Sequence, residues 1–326
     1  MPTIRDVAKR AGVSISTVSR VLNNSGPVSE RARLAVLKAM EELGYTPHPW
    51  AKYLATIREE FKVSIVMTPR IKEYLVKGEG FYFEVYLGIK NVMKQIKACE
   101  KIVDKEEALQ DETDGFLLIG ADFRRKEVER YMSTGKPVVL VDHYIPGMNV
   151  DAVVSDGYGG AYSAIRMMLK RGFRRIIHIH SDLRPYSFRE RFEGYTSAMG
   201  RCGLMPRYYE FNDYNDNMSS VIDLILKNYG KPEVIFTSND FSAIRAMEEL
   251  EKRGYRIPDD VSLIGFDDSP EAEELELTTV RVYKDELGSF AMRRLITLMM
   301  GQDVHPAKIS LFTEIVERKS TRGSPS

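Results

Sequence analysis

The sequence predicts an α/β protein in which a small three-helix head precedes a body of two doubly wound parallel sheets. Three observations lead there. Strand-length apolar runs alternate with amphipathic helical stretches from residue 61 to residue 320, the alternation of parallel sheets covered by helices. That body, about 260 residues, exceeds one open sheet of ordinary width, so two subdomains are expected. The first 58 residues show helical periodicity only, and their charge differs from the rest. They carry nine Lys and Arg against four Asp and Glu, whereas the whole chain balances 47 against 47. A basic head on a slightly acidic body fits a phosphate-binding module joined to something else.

Composition sets the outer bounds. At 326 residues, 43% hydrophobic and 29% charged, the chain is neither disordered nor membrane-like. No apolar run approaches the ~18 residues of a membrane span, and MPTIRDVAKR lacks the apolar stretch of an export signal. Cys99 and Cys202 cannot form a disulfide framework. A cytoplasmic protein with reduced thiols is expected.

In the head, Thr3 can cap a helix over Ile4–Ala11, with Ile4, Val7, Ala8 and Ala11 on one face. Gly12 permits a left-handed turn, and Ser14 caps a second helix, Ile15–Leu22, with Val18, Val21 and Leu22 inward. Residues 23–27 read as a loop. Ser29 caps a third helix reaching Leu43, whose inner face is expected to be Ala32, Val36, Leu37, Met40 and Leu43. A helix, a tight glycine turn and a short helix with small hydroxyl residues and Arg20 outward is a helix-turn-helix pattern. Small side chains let such a helix enter a major groove, and a guanidinium can reach guanine O6 and N7.

The run from Thr3 to Asn23, with Val28-Ser29-Glu30 and Leu43-Gly44-Tyr45-Thr46-Pro47, resembles the headpiece of the LacI/GalR family of bacterial transcription regulators. The resemblance implies that Ile15, Ser16 and Arg20 read bases, with Thr3, Thr17, Ser19, Asn23 and Ser29 near phosphates. Pro47 to Leu54 resembles the family's hinge, which becomes helical on the operator and wedges a leucine into the minor groove. Leu54 takes that position and Ala51 and Lys52 flank it; His48, Pro49 and Trp50 depart from the usual pattern. An apolar wedge is physically sensible, because the unstacking it costs is offset by added contacts.

In the body, strands are expected at Val63–Met67, Gly115–Ile119, Pro137–Val141, Ala152–Val154, Arg175–Ile179, Val234–Phe236 and Val261–Gly265. Helices include Gly160–Arg171, Phe188–Cys202, Ser219–Tyr229 and Ser242–Gly254. Ligands of open α/β sheets bind beyond the C-terminal strand ends. Polar residues cluster there: Asp142-His143, Ser155-Asp156, Thr237-Ser238-Asn239-Asp240 and Asp267-Asp268. Each carboxylate or amide could accept from a sugar hydroxyl, although Asp156, Asp240 and Asp268 would also serve as helix caps.

The resemblance extends through this body. Ser187 to Tyr195 is similar to the family's S-x-x-x-R-x-x-G segment, which implies Ser187 and Arg191 as effector contacts. Ser238-Asn239-Asp240 and Gly265-Phe266-Asp267-Asp268-Ser269 imply Asn239 and Asp267, and Asp240 joins them from the strand-end cluster. Phe81 and Tyr82 stand where the family places an aromatic pair, and Tyr214 where another ring closes the site. With Asp142 and Asp156 these make the candidate effector set. Lys97–Thr113 is too short for the full strand and helix that the family usually has there.

Other classes fare worse. His178 and His180 share a strand face, but no third metal ligand has matching spacing. Asp156-Gly157-Tyr158-Gly159-Gly160 is not a dinucleotide fingerprint, and neither a P-loop lysine nor a G-x-S-x-G elbow is present. A sugar-processing enzyme would need a phosphate-cradling loop, and a transport solute-binding protein an export signal. The resemblance therefore implies a non-enzymatic regulator, without cofactor or metal, acting as a homodimer on a pseudo-palindromic DNA operator. A sugar is the first-choice effector, with a purine or a phosphosugar as alternatives. The expected organisation is a headpiece over residues 1–46, a hinge over 47–58, a periplasmic-binding-protein-like core over 59–320 and a tail over 321–326. Within the core, one subdomain takes about 61–154 and 283–309, and the other about 155–282 and 310–320.

Overall fold

The computed structural model describes residues 4–23, 28–43, 61–96, 98–212, 215, 217–303 and 305–325, apart from the side chains of Ile4, Arg5, Ser19, Leu22 and Asn23. The expected hinge falls outside the described residues.

The head consists of α1 (Ile4–Ala11), α2 (Ile15–Asn23) and α3 (Glu30–Leu43). Gly12 turns the chain at φ 66°, and Ser14 Oγ accepts the Thr17 amide at 3.1 Å, capping α2. Ser29 Oγ likewise accepts the Ala32 amide at 3.3 Å. Val7, Ala8, Val18, Val21, Val36 and Ala39 form the core that the three helices share. One expectation fails here: Leu37 is 49% exposed, and Ala39 is buried in its stead. The reason is the helical period. Val36, Ala39, Met40 and Leu43 recur at i, i+3, i+4 and i+7, and Leu37 stands about 100° away from Val36.

The body has two lobes. The first carries a six-stranded sheet of β1 (Phe61–Val66), β2 (Ala98–Val103), β3 (Gly115–Ile119), β4 (Val138–Val141), β5 (Asp151–Ser155) and β11 (Lys308–Leu311), in the order β11-β5-β4-β3-β1-β2. The second carries a sheet of β6 (Ile176–His180), β7 (Arg207–Glu210), β8 (Val234–Thr237) and β9 (Ser262–Ile264), ordered β7-β6-β8-β9 and parallel throughout. β10 (Thr279–Arg281) and β12 (Glu314–Val316) pair antiparallel as a separate ribbon. β3, β4 and β8 are buried along their whole length, as their unbroken apolar runs require.

Helices α4 (Pro69–Lys77), α5 (Phe81–Met93), α6 (Arg125–Met132) and α12 (Lys284–Met299) belong to the first lobe. Those of the second are α7 (Gly157–Lys170), α8 (Tyr186–Arg201), α9 (Met218–Tyr229), α10 (Asp240–Lys252) and α11 (Pro270–Glu274). The chain thus passes between lobes three times: after β5, before α12 and after β11. The short segment after α5 keeps its strand, β2, and reduces the following helix to one 3-10 turn over Glu107–Gln110. The shortening predicted from its length falls entirely on the helix.

Two helices of the first lobe meet backbone to backbone. A Cβ on Gly88 of α5 would stand 1.9 Å from the Asp285 carbonyl oxygen, and one on Gly288 of α12 would stand 1.9 Å from that of Val85. Ser289 Oγ donates to the Gly88 carbonyl at 3.1 Å across the same crossing. A methyl group there displaces main chain, which cannot rotate away as a side chain can. Gly288→Ala is expected to destabilise the body by about 1–3 kcal/mol, read as a lower urea midpoint with unchanged slope. An unchanged midpoint would show that the crossing opens freely.

Candidate functional site

Two surfaces carry polar groups that packing does not consume. On the head, α2 begins without an acidic residue and exposes Ile15, Ser16 and Arg20, with Thr17 half-buried. Ser14, Ser16 and Thr17 hydroxyls bond one another at 2.7 and 2.9 Å, forming a compact donor-acceptor cluster at the helix start. Positive helix end, hydroxyls and one outward guanidinium together suit a phosphate and base-edge surface. Ser29 is exposed at the start of α3.

In the body, each sheet has a point where its strand order reverses, between β1 and β3 in one and between β6 and β8 in the other. Ligand crevices of open sheets form at such points. At the second, the Ser181 amide donates to Ser238 Oγ at 3.2 Å. The Ser238 carbonyl accepts from Arg191 Nη1 at 2.5 Å. Arg191, on the buried face of α8, also sets Nη2 at 2.8 Å from Asp267 Oδ1, an ion-pair distance without hydrogen-bond alignment. Its guanidinium lies 3.9 Å from the Phe266 ring centre. At the first switch point, Tyr82 donates to Asp142 Oδ2 at 3.0 Å, beside Gly120.

Asp142, Asp267 and Asp268 adopt φ values of 56°, 111° and 55°. Such backbone is costly for a residue with a Cβ and concentrates at functional sites. Among the described residues, six side-chain atoms at or beside the strand ends are buried without a hydrogen-bond partner: Asp142 Oδ1, His143 Nδ1, Ser155 Oγ, Ser181 Oγ, Arg191 Nε and Asp267 Oδ1.

Of the sequence-predicted residues, Tyr82, Asp142, Arg191 and Asp267 are therefore brought together. Phe81 packs edge-on against Tyr82 at 5.1 Å and touches the second lobe's core. Ser187 lies half-buried in the first turn of α8. Asn239 caps α10, its Oδ1 accepting the Ser242 amide at 2.9 Å. Asp156 caps α7 through the Gly159 amide at 2.7 Å. Asp240 and Asp268 do not cap, contrary to that reading of them. Asn239 and Ser269 hold the capping positions, because a cap must precede the helix to reach its second or third amide. Asp240 instead accepts from the Ser269 amide and the Thr279 hydroxyl at 2.7 and 2.5 Å, so both its oxygens are engaged within its own lobe. His178 packs on Phe236 at 4.8 Å between ring centres and bonds that residue's carbonyl. Thr3, Ala51, Lys52, Leu54 and Tyr214 lie outside the described residues, as do the side chains of Ser19 and Asn23.

Ser181, Ser238 and Phe266 were not predicted as site residues, although Ser238 and Phe266 adjoin residues that were. Lys284 was also missed: its Nζ donates to Glu84 Oε1 at 3.1 Å and to the Asp268 carbonyl at 3.0 Å, joining α5 of one lobe to a strand end of the other. Among the described residues, no group of three or more His, Cys, Asp or Glu side chains is placed to hold a metal ion, and no helix is long and apolar enough to cross a membrane.

The family model described as "Bacterial regulatory proteins, lacI family" matches residues 3–48, and that described as "Periplasmic binding protein-like domain" matches residues 165–321. The chain is 29% identical over 339 residues to the HTH-type transcriptional repressor CytR of Escherichia coli (strain K12), covering 99% of this chain and 97% of that protein. It is 30% identical over 336 residues to the ribose operon repressor of Halalkalibacterium halodurans, covering 99% and 98%. The solved structure of the transcriptional regulator CelR–cellobiose complex superposes with a TM-score of 0.70 at 27% identity, over 98% of this chain and all of the other.

The electrostatics of the strand-end cluster set its pH response. Burial pushes the Asp142 carboxyl up to about 7, against the opposing pull of Arg191. Burial raises Asp240 to about 7 as well, with the Asp267 charge adding to it. Asp267 is raised by burial too, while Arg191 and Lys284 oppose. In the unfolded chain these carboxyls ionise near 4. The folded state therefore holds protons that the unfolded state has released, and the stability this confers is lost as pH rises through about 7. The melting temperature of the ligand-free protein is expected to fall between pH 5 and pH 8, and Asp142→Asn to flatten that decline. A decline in the Asp142→Asn variant as steep as the wild type's would mean that Asp142 is ionised throughout.

Proposed function

Because the chain belongs to the lacI family of bacterial regulatory proteins, we propose that it is an operator-binding repressor released or engaged by a polyhydroxylated effector, a sugar, held between its two lobes. Membership makes it a transcription regulator rather than an enzyme. The observation that carries the effector reading is the set of buried atoms without a hydrogen-bond partner at the strand ends and on Arg191. Asp142 Oδ1 and Asp267 Oδ1 accept; Arg191 Nε donates; Ser155 and Ser181 hydroxyls do either. A neutral molecule with several hydroxyls can satisfy all of them, and Phe81 supplies an apolar face beside them. The pair of carboxylates disfavours an anionic phosphosugar. Ser187, in the first turn of α8, and Asn239, just after β8, complete the proposed contacts, while Asp156 and Asp240 shape the site through their caps and braces. The relatives named for ribose and solved with cellobiose support a sugar.

For DNA, the proposed reading surface is the start of α2, with Ile15, Ser16 and Arg20 toward bases and Thr17 and Ser29 toward phosphates. One head covers one half-site, so a two-fold dimer and a pseudo-palindromic operator follow. Exposed apolar side chains are available for such a dimer: Tyr74, Val76 and Leu87 on the first lobe, and Leu224, Phe241 and Leu275 on the second. Effector and operator are coupled only insofar as the effector prefers one arrangement of the lobes.

Arg20→Ala is expected to cost about 1–3 kcal/mol of discrimination between operator and scrambled DNA, with the body's melting unchanged. Equal discrimination in wild type and variant would remove Arg20 from the groove. A thermal-shift panel of mono- and disaccharides with purines should yield a sugar that raises the melting temperature, since a ligand of the folded state alone stabilises it. Arg191→Ala should abolish that shift and the sugar's effect on operator affinity while leaving operator binding intact. A purine hit, or a sugar response that survives in the variant, would overturn the assignment.

A further inference from the structure

One cluster outside the strand-end site joins the two lobes through side chains alone. Lys308, on edge strand β11 of the first lobe, extends its ammonium to Tyr186 at the start of α8 in the second, donating to the Tyr186 hydroxyl. The ammonium is 4.6 Å from the Tyr186 ring centre, which with the hydroxyl contact places it at the oxygen end of that ring rather than over its face. The Tyr186 hydroxyl donates in turn to Glu190 Oε1, and Lys308 Nζ stands 3.8 Å from the same oxygen. From the first lobe, Tyr144 closes the group: its ring centre is 4.8 Å from the ammonium, and its ring meets Tyr186 edge-on at 5.2 Å and 77°. Tyr186 is 6% exposed, while the Lys308 side chain keeps 34% of its surface accessible.

We infer that Lys308, Tyr144, Tyr186 and Glu190 form a latch whose closure sets the balance between open and closed lobes before any effector binds. Its significance for regulation rests on the two-lobe effector reading above. The geometry supports the role in three ways. Two members come from each lobe, so the cluster cannot persist if the lobes separate. The contacts are polar and aromatic, and therefore weakly sticky and reversible, unlike an apolar seam of the same area. Tyr144 lies two residues after Asp142, and Tyr186 immediately precedes Ser187, so the latch is covalently continuous with both sides of the proposed effector site. An effector that preferred the closed arrangement would gain apparent affinity in proportion to the fraction the latch keeps closed.

The test uses the full-length protein without ligand. Spin labels on Cys202, at the end of α8, and on Ser133→Cys, after α6, with Cys99→Ser, report the distance between lobes; labelled subunits are diluted with unlabelled ones. Lys308→Met is expected to move the open-to-closed ratio about tenfold toward longer distances. Tyr186→Phe, which keeps the ring and loses the hydroxyl, should fall between it and the wild type. A distance distribution unchanged in Lys308→Met would overturn the latch. Should that variant lose cooperative melting, Tyr144→Leu decides by the same readout, an unchanged distribution again counting against. Because no sugar is present, failure of the sugar assignment and failure of the latch show up in separate experiments.

Discussion

One guanidinium organises the body. Arg191 reaches from the buried face of α8 to the ends of two strands of its own sheet, bonding the Ser238 carbonyl and pairing with Asp267, while its plane lies against Phe266. A charge taken out of water costs several kcal/mol unless its hydrogen-bonding capacity is met. Here it is met only in part, since Nε has no partner and the contact with Asp267 is a charge pairing rather than an aligned hydrogen bond. The aromatic face and the carboxylate keep the cation tolerable. The remaining capacity is what a ligand can use.

The carboxylates around it carry a related cost. Asp142 and Asp267 sit on left-handed backbone, and burial works against their ionised forms. Neither feature helps the fold. Asn or Gly would relieve the backbone, and an amide would relieve the charge, at either position. Elsewhere the same lobe shows how a carboxylate is settled when structure is its only task. Asp268 is also at positive φ, with its side chain 10% exposed, but Arg281 and Arg318 pair with it at 2.6 and 2.7 Å. Their pull overcomes burial and holds its carboxyl below the ordinary range. The contrast between Asp267 and its neighbour Asp268 separates a group kept available from one made rigid.

How much of this the sequence disclosed depends on burial. Strands with both faces covered, such as β3 and β8, are continuous apolar runs and were legible to within a residue or so. Edge strands β7 and β11 are four residues of exposed and half-buried positions, and no apolar run marks them. Motif resemblance pointed to Arg191 and Asp267, and the strand-end rule to Asp142. Neither could assign Asn239 to a cap and Asp240 to a brace, because that choice depends on where the helix begins, a matter of one residue. Lys284, Tyr144 and Lys308 were illegible for a different cause. Their partners lie across the lobe boundary, up to 200 positions away in the case of Glu84, and local pattern carries no information about them.

That boundary explains why the bridging contacts are of the kind they are. Three crossings of the chain tie the lobes together, and chain crossings of this kind can act as hinges, so covalent connection alone selects no arrangement. Lys284 adds a polar tie next to one crossing, from Glu84 to the Asp268 carbonyl. The Lys308 cluster adds another beside β11, the strand that leads into the third crossing. A lobe seam filled with leucines would hold one arrangement too firmly for a small molecule to change, because apolar burial at ~25 cal/mol per Å² soon exceeds what a sugar's differential affinity supplies. On the latch reading, polar bridges leave a preference small enough for a ligand's differential affinity to change. A ligand satisfying the unpaired atoms around Arg191 can then shift the equilibrium.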